Sequence, residues 1–391
     1  MTRDVASSHP AGITHMSPIF TVSKFVHVLS VLAFVLVASA SSQTIEKQTL
    51  AHLENIRAIR ADADEKTVAG YNKSMDEAWK FFDGNKASVL PILRRELNLE
   101  LKKATPNDLI LLDIGYYFRL QPDNSDKELG KTALFKLNPA SEIVYVNQQQ
   151  LFNFAYAVAA DEDSRVLPFI DRAFLRQKMT AYVPQHALAL DETLVCVFLY
   201  GVHGPASEGH LRNLLTDKAV TRKVIEILIW IGTPDSVQAV KEAMLADRTY
   251  ETFNRATTFM MKTGGPAGRE SMLRLNPKDF DSRSQEYLAR IRTLIEATTF
   301  ELLRTQFSKP VDSARLNDDA IKKRLADIYE SSGKHEPSDR SAILDSTLPR
   351  DFLIKELLRI RARMFRRLSD EGLHDVVATN AMLNTLYYRE K

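Results

Sequence analysis

The sequence predicts an all-α fold, an array of helical hairpins. Apolar residues recur with helical spacing from Thr44 onward, and no segment alternates like a strand for more than a few residues. Gly and Pro number 14 and 15 in 391 residues, which disfavours a turn-rich β-sandwich. Gly201, Gly232 and Gly264 lie 31 and 32 residues apart. Each falls at the end of an apolar helical run and is soon followed by a proline, Pro205, Pro234 and Pro266.

The N-terminus reads as an export signal. Lys24 precedes "FVHVLSVLAFVLVASA" (25–40), an apolar run shorter than the roughly 20 residues that span a bilayer. It ends in Ala38-Ser39-Ala40, the small-x-small pattern of a signal-peptidase site, so cleavage is expected after Ala40. The alternative is an uncleaved anchor helix. The leader before Lys24 is long for a signal peptide, which leaves Met16 as an alternative start. No Cys follows the run, which argues against a lipoprotein anchor. Removing residues 1–40 takes away Arg3, Asp4 and Lys24 and leaves a nearly neutral chain. With a formal net charge of +2 overall, no pull toward nucleic acid or anionic membrane is expected. Membrane contact is expected only through the signal segment before cleavage. The single Cys196 cannot form an intrachain disulfide and reads as a small buried hydrophobe. A large exported chain without disulfides fits a bacterial periplasm.

The segments follow in order: a signal peptide (1–40), N-terminal helices (41–105), a helical hairpin region (106–160), repeats (161–280) and a C-terminal helical region (281–391) with a loop at 331–349. "IEKQTLAHLENIRAI" sets Ile45, Leu50, Leu53, Ile56 and Ile59 near one stripe. "SEIVYV" from 141 is the one tempting strand. "QPDNSDKELG" (121–130) and "SRSQ" from 282 read as linkers. In "VIEILIWI" Val224, Ile227, Leu228 and Ile231 share one face, while Ile225, Ile229 and Trp230 occupy another. A helix apolar on two sides is expected to be packed on two sides, with Ile227 and Trp230 in the core. "SVQAVKEAML" buries a single stripe, Val237, Val240 and Met244.

Between the glycines an Asp closes one helix (Asp217, Asp247) and an Arg opens the next (Arg222, Arg255). This pattern resembles the HEAT-like repeat over roughly a fifth of the chain, best at 201–264. "LLDIGYYFRLQPDNSDKELGKTALFKLNP" is similar to a tetratricopeptide unit at Gly115, Tyr117 and Leu137-Asn138-Pro139, but has Lys127 where that pattern wants a small residue. Both resemblances imply an α-solenoid, a fold that offers extended surfaces to other macromolecules.

Catalytic motifs are scarce. "GPASEG" (204–209) has the wrong spacing for a nucleophile elbow around Ser207. "HEPSD" (335–339) lacks the second His of a zinc helix and contains Pro337. "KTGGPAGRES" (262–271) lacks the phosphate-loop Lys. Two sets of metal-ligating types remain: His203, Glu208 and His210 in one turn, and Glu371 with His374 on one helix face. Exposed turn residues and an acid-rich first helical turn explain them equally well in chemical terms. No cofactor is expected. "IKELLRIRARMFRRL" (354–368) sets apolar Ile354, Leu357, Leu358, Met364, Phe365 and Leu368 against a basic face. Arg359, Arg363, Arg366 and Arg367 on that face, with Lys355, are candidates for binding an acidic protein partner or an anionic envelope polymer. The alternative is a solvated face, or one already paired with acids of a neighbouring helix. The expected function is an exported, non-catalytic binding or scaffolding module. A metal-assisted hydrolase and a structural envelope component are the rivals.

Overall fold

A computed structural model describes residues 43–59, 65–141, 148–177, 181–183, 188–190, 192–297, 349–367 and 370–388. The chain divides into two units, Met1–Ala58 with Glu65–Glu96, and Ile59–Asp64 with Leu97–Lys391. The described residues are helical apart from turns and one short β-hairpin. Among them no helix is long and apolar enough to cross a membrane. Residues 1–40, the "IVYV" of the tempting strand and the loop at 331–348 lie outside the described residues.

The first unit holds α1 (43–57), α2 (Glu65–Gly84) and most of α3 (Lys86–Lys102). Thr49, Leu53 and Ile56 form the buried stripe of α1; Ile45, Leu50 and Ile59 are half-buried. Tyr71, Met75, Ala78 and Phe82 of α2 keep the same three- and four-residue spacing, as do Val89 and Leu93 of α3. His52 lies edge-on to Phe82, with ring centroids 5.8 Å apart.

The second unit continues with α4 (Asp108–Arg119), α5 (Asn124–Lys136), α6 (Gln148–Ala159) and α7 (Val166–Ile170), which runs into a π-turn at Asp171–Leu175. The expected linker at 121–130 is mostly helix: Asp123 caps α5 by accepting from Ser125 N at 2.8 Å. The hairpin β1 (Ala181–Val183) and β2 (Leu188–Leu190) is antiparallel, with Tyr182 opposite Ala189. Next come α8 (Glu192–His203), α9 (Ala206–Leu214), α10 (Thr221–Ile231), α11 (Val237–Ala246), α12 (Tyr250–Lys262), α13 (Gly265–Arg274) and α14 (Ser282–Ala297). "SRSQ" is thus the first turn of α14 rather than a linker, because Asp281 accepts from Ser284 N at 2.7 Å. The C-terminal pair is α15 (Arg350–Met364) and α16 (Asp370–Tyr387).

Alternate helices touch one another: α4 with α6, α6 with α8, α8 with α10, α10 with α12, and α12 with α14. α5, α9, α11 and α13 each lie beside a neighbouring member of that row. The pair α15–α16 packs onto it, α15 against α8 and α16 against α10, α12 and α13. This explains the doubly apolar α10. Val224, Ile225, Ile227 and Leu228 are fully buried and Ile231 nearly so. Trp230 is only half-buried, and Ile229 with it, because that edge borders an open slot rather than another helix. Trp230 is therefore not the core residue the sequence led us to expect. Cys196 is fully buried in α8.

Two of the spaced glycines have reasons other than a left-handed cap. Gly201 lies inside α8, where a Cβ would come within 2.4 Å of the Phe365 ring. Gly232 does follow α10, but with extended backbone, φ −75°. A Cβ there would stand 2.5 Å from Leu228 O and 2.9 Å from Phe259.

Candidate functional site

α15 begins after Pro349 and buries Leu353, Leu357, Ile360, Arg361 and Met364. Its other side forms one wall of a groove of about 800 Å³. Ile354, Leu358 and Ala362 with Pro205 give the groove apolar surface, and Lys355, Arg359, Arg363 and Arg366 give it positive charge. Asp351, Glu356 and Glu162 line it too. Glu162 sits there with φ 59°, the one non-glycine residue with positive φ among those described.

Three of the four candidate arginines therefore share this groove, and their commitments differ. Arg359 pairs with Glu356 one turn away at 3.2 Å and stays 62% exposed. Arg366 donates to Ala160 O at 3.3 Å. Arg363 is exposed, and no hydrogen bond or ion pair to it is found among the described residues. Arg367 leaves the groove and approaches the fully buried Asp375 of α16 at 3.6 Å. Leu368 lies outside the described residues.

Arg361 was not among the candidates, yet it is 4% exposed and tightly held. Its guanidinium donates to Ile231 O, to Gly232 O at 3.3 Å and to Asn380 Oδ1 at 2.7 Å. It thereby caps the C-terminal carbonyls of α10 with a positive charge. Burial pulls its pKa below the usual arginine value, from so high a start that it keeps its proton. The sequence did carry a signal: position 361 falls on the stripe 353, 357, 360, 364.

The putative metal trio around His203 is dispersed. Glu208 accepts from Thr233 N at 2.8 Å, Thr233 Oγ1 at 2.7 Å and Ser236 Oγ at 2.5 Å, closing the turn after α10. His210 Nε2 lies 2.9 Å from Asp171 Oδ2. Tyr200 donates to the other oxygen of Asp171, and burial raises the Tyr200 pKa well above the phenol range. This Tyr–Asp–His network, seated on the π-turn, was missed from sequence; Asp171 interrupting the apolar run "VLPFIDRAFL" was its trace. His203 is 2% exposed and neither ring nitrogen has a hydrogen-bond partner among the described residues. Burial lowers its pKa, against a smaller opposing pull from Glu162. Among the described residues no three His, Cys, Asp or Glu side chains stand where they would hold a metal. The side chains of Glu371 and His374 lie outside the described residues. Ser207 is fully buried and donates to Tyr200 O at 2.9 Å, a turn contact and not a nucleophile's setting.

No protein-family model matches this chain, and no curated protein or solved structure matches it.

Proposed function

We propose that this protein is an exported, non-catalytic helical-repeat module that binds an acidic segment of a partner protein in the α15 groove. The observation that carries the reading is the groove itself, where Lys355, Arg359, Arg363 and Arg366 stand over apolar Ile354 and Leu358. A segment with carboxylates on one side and apolar residues on the other complements both features. Arginine suits forked contacts with carboxylates.

The HEAT-like reading of the scaffold draws support from the row of alternating helices. A ladder of ion pairs supports it further. Arg176 meets Asp217 at 2.7 Å, Arg222 meets Asp247 at 3.5 Å and Arg248 meets Asp279 at 3.9 Å. Each ties one hairpin to a later one in the way the repeat family would. Export rests on the segment 25–40 and Ala38-Ser39-Ala40. N-terminal sequencing of the product made in a secreting host is expected to read from Ser41; an intact 25–40 segment in the membrane fraction overturns that part.

The groove is tested with a fluorescent peptide that alternates Glu and Leu, across a salt series. Exposed charge contacts contribute about 0.2–1 kcal/mol each, so Arg363→Glu with Arg366→Glu should weaken binding by about tenfold to a hundredfold. The salt dependence should shrink with it, and melting should be unchanged. Equally tight binding of polyglutamate would replace the protein partner with a featureless anionic polymer. Unchanged peptide affinity in the double variant would sink both.

A further inference from the structure

A second cavity lies between α10, α12 and α16 and is independent of the α15 groove. It measures about 310 Å³, at the small end of the roughly 300–1,000 Å³ that ligand pockets occupy. Ile229, Trp230, Met261, Val377 and Ala381 form its apolar walls. Trp230 is half-buried there, and Val377 on the rim is 53% exposed. An indole and a thioether facing a slot offer flat, polarizable surface to a planar guest.

The polar groups at the slot divide in two. Thr263 and Asn380 are committed to the fold: Thr263 Oγ1 donates to Ile229 O at 3.0 Å, and Asn380 Nδ2 to Trp230 O at 3.0 Å. Lys262 and Asn384 are not. Lys262 is exposed in the last turn of α12, and no ion pair to it is found among the described residues. Asn384 has an Oδ1 shut off from solvent that accepts no hydrogen bond. An unpaired buried acceptor is costly, and a guest N–H or O–H that reaches it relieves that cost.

The electrostatics favour an anion. No Asp or Glu lines the slot, in contrast to the α15 groove with its three carboxylates. Behind Asn380 sits the Arg361 guanidinium, whose hydrogen-bond partners are all neutral. Glu208 acts on Arg361 only from farther off, with its oxygens taken by Thr233 and Ser236. Two full positive charges, Lys262 and Arg361, thus face the C-terminal ends of α10 and α12. Each such end carries roughly −0.5 of a charge, which leaves about one net positive charge at the slot.

We propose that this slot binds a small planar aromatic molecule carrying one anionic group, its ring against Trp230 and its anion toward Lys262. The full chain is titrated with 1-anilinonaphthalene-8-sulfonate and, in parallel, with uncharged N-phenyl-1-naphthylamine, reading energy transfer from tryptophan. One saturable site is expected, with the sulfonate the tighter probe. Ala381→Leu, which fills the slot, should weaken both probes by about tenfold or more. Lys262→Gln should weaken the sulfonate by about threefold to fivefold and leave the neutral amine unchanged. Val377→Glu, an exposed change that leaves folding alone, should weaken the sulfonate selectively as well. Absence of a saturable site overturns the proposal. So does a Lys262→Gln or Val377→Glu variant that treats the two probes alike, or a folded Ala381→Leu variant that binds both as before.

Discussion

Two turns in the second unit stand one hairpin apart and are closed by opposite means. The turn from α10 into α11 exposes the C-terminal carbonyls of one helix and the N-terminal donors of the next. Buried ions take both: Arg361 the carbonyls of Ile231 and Gly232, Glu208 the donors of Thr233 and Ser236. The turn from α12 into α13 uses no ion. Thr263 and Gly264 both donate to Phe259 O, and Gly265 turns the chain with φ +54°. The C-terminal pair presses on both turns, through Arg361 at the first and through Tyr387 at the second, where a Cβ on Gly265 would lie 2.9 Å from that of Tyr387. A helix end under another helix needs its orphan groups satisfied. Where the covering element brings a charge, the turn leans on it. Where it brings only bulk, the turn satisfies itself and must stay small.

The largest effect should come from removing the ion at the first turn. Arg361→Met keeps much of the volume but strips Ile231 O, Gly232 O and Asn380 Oδ1 of their donor. Unsatisfied buried acceptors cost about 1–3 kcal/mol each, so a loss of about 3–5 kcal/mol is expected in urea unfolding. Arg361→Lys should restore only part of it, since one ammonium lacks the planar fork. A loss under about 1 kcal/mol for Arg361→Met would show that the two turns do not differ in the way described.

At the second turn the sensitive atom is the absent Cβ. Gly265→Ala forces an L-residue into left-handed backbone, which costs about 1–2 kcal/mol, and it crowds Tyr387. The expected destabilisation is about 2 kcal/mol, from strain and close packing rather than from lost hydrogen bonds. Tyr387→Ala should relieve the crowding component, so the double variant tests coupling between them. Additive losses would mean that α16 does not press on this turn.

How much of this the sequence disclosed depends on the kind of residue. The burial of Ile227, Val240 and Met244 followed from spacing alone, because apolar periodicity reports which face is covered. Trp230 went the other way because spacing says nothing about what lies opposite, and opposite it is a slot. The arginines of α15 were legible as a group by charge, but not in their division. Arg361 lies on the apolar stripe and becomes the clamp, while Arg367 goes to Asp375. Which partner a charge finds is set by elements far apart in the chain; Arg361 and Ile231 are 130 residues apart. The helical start of "SRSQ" was missed because a polar, Ser-rich string reads as linker until its cap, Asp281, is recognised.

A third turn, from α8 into α9, sharpens the comparison by titration. Gly204 with φ +96° makes the bend, and His203 beside it is enclosed without a hydrogen-bond partner among the described residues. This turn has neither an ion clamp nor a fully satisfied set of groups. It carries a neutral imidazole whose pKa burial pushes below the usual 6.5. The unfolded chain takes up a proton near the usual value while the folded chain does not. Stability is therefore full above about pH 6.5 and declines as pH falls, until the lowered folded pKa is passed. The slope from one such group is at most about 1.4 kcal/mol per pH unit. His203→Asn should flatten that part of the profile, whatever it does to absolute stability. The clamp predicts the contrary for the first turn: Arg361 stays charged throughout, so Arg361→Met should shift the whole curve without changing its slope between pH 5 and 7. Unfolding in urea at half-unit pH steps measures both. A slope that survives in His203→Asn would move the acid sensitivity to other groups and remove the third turn from the series.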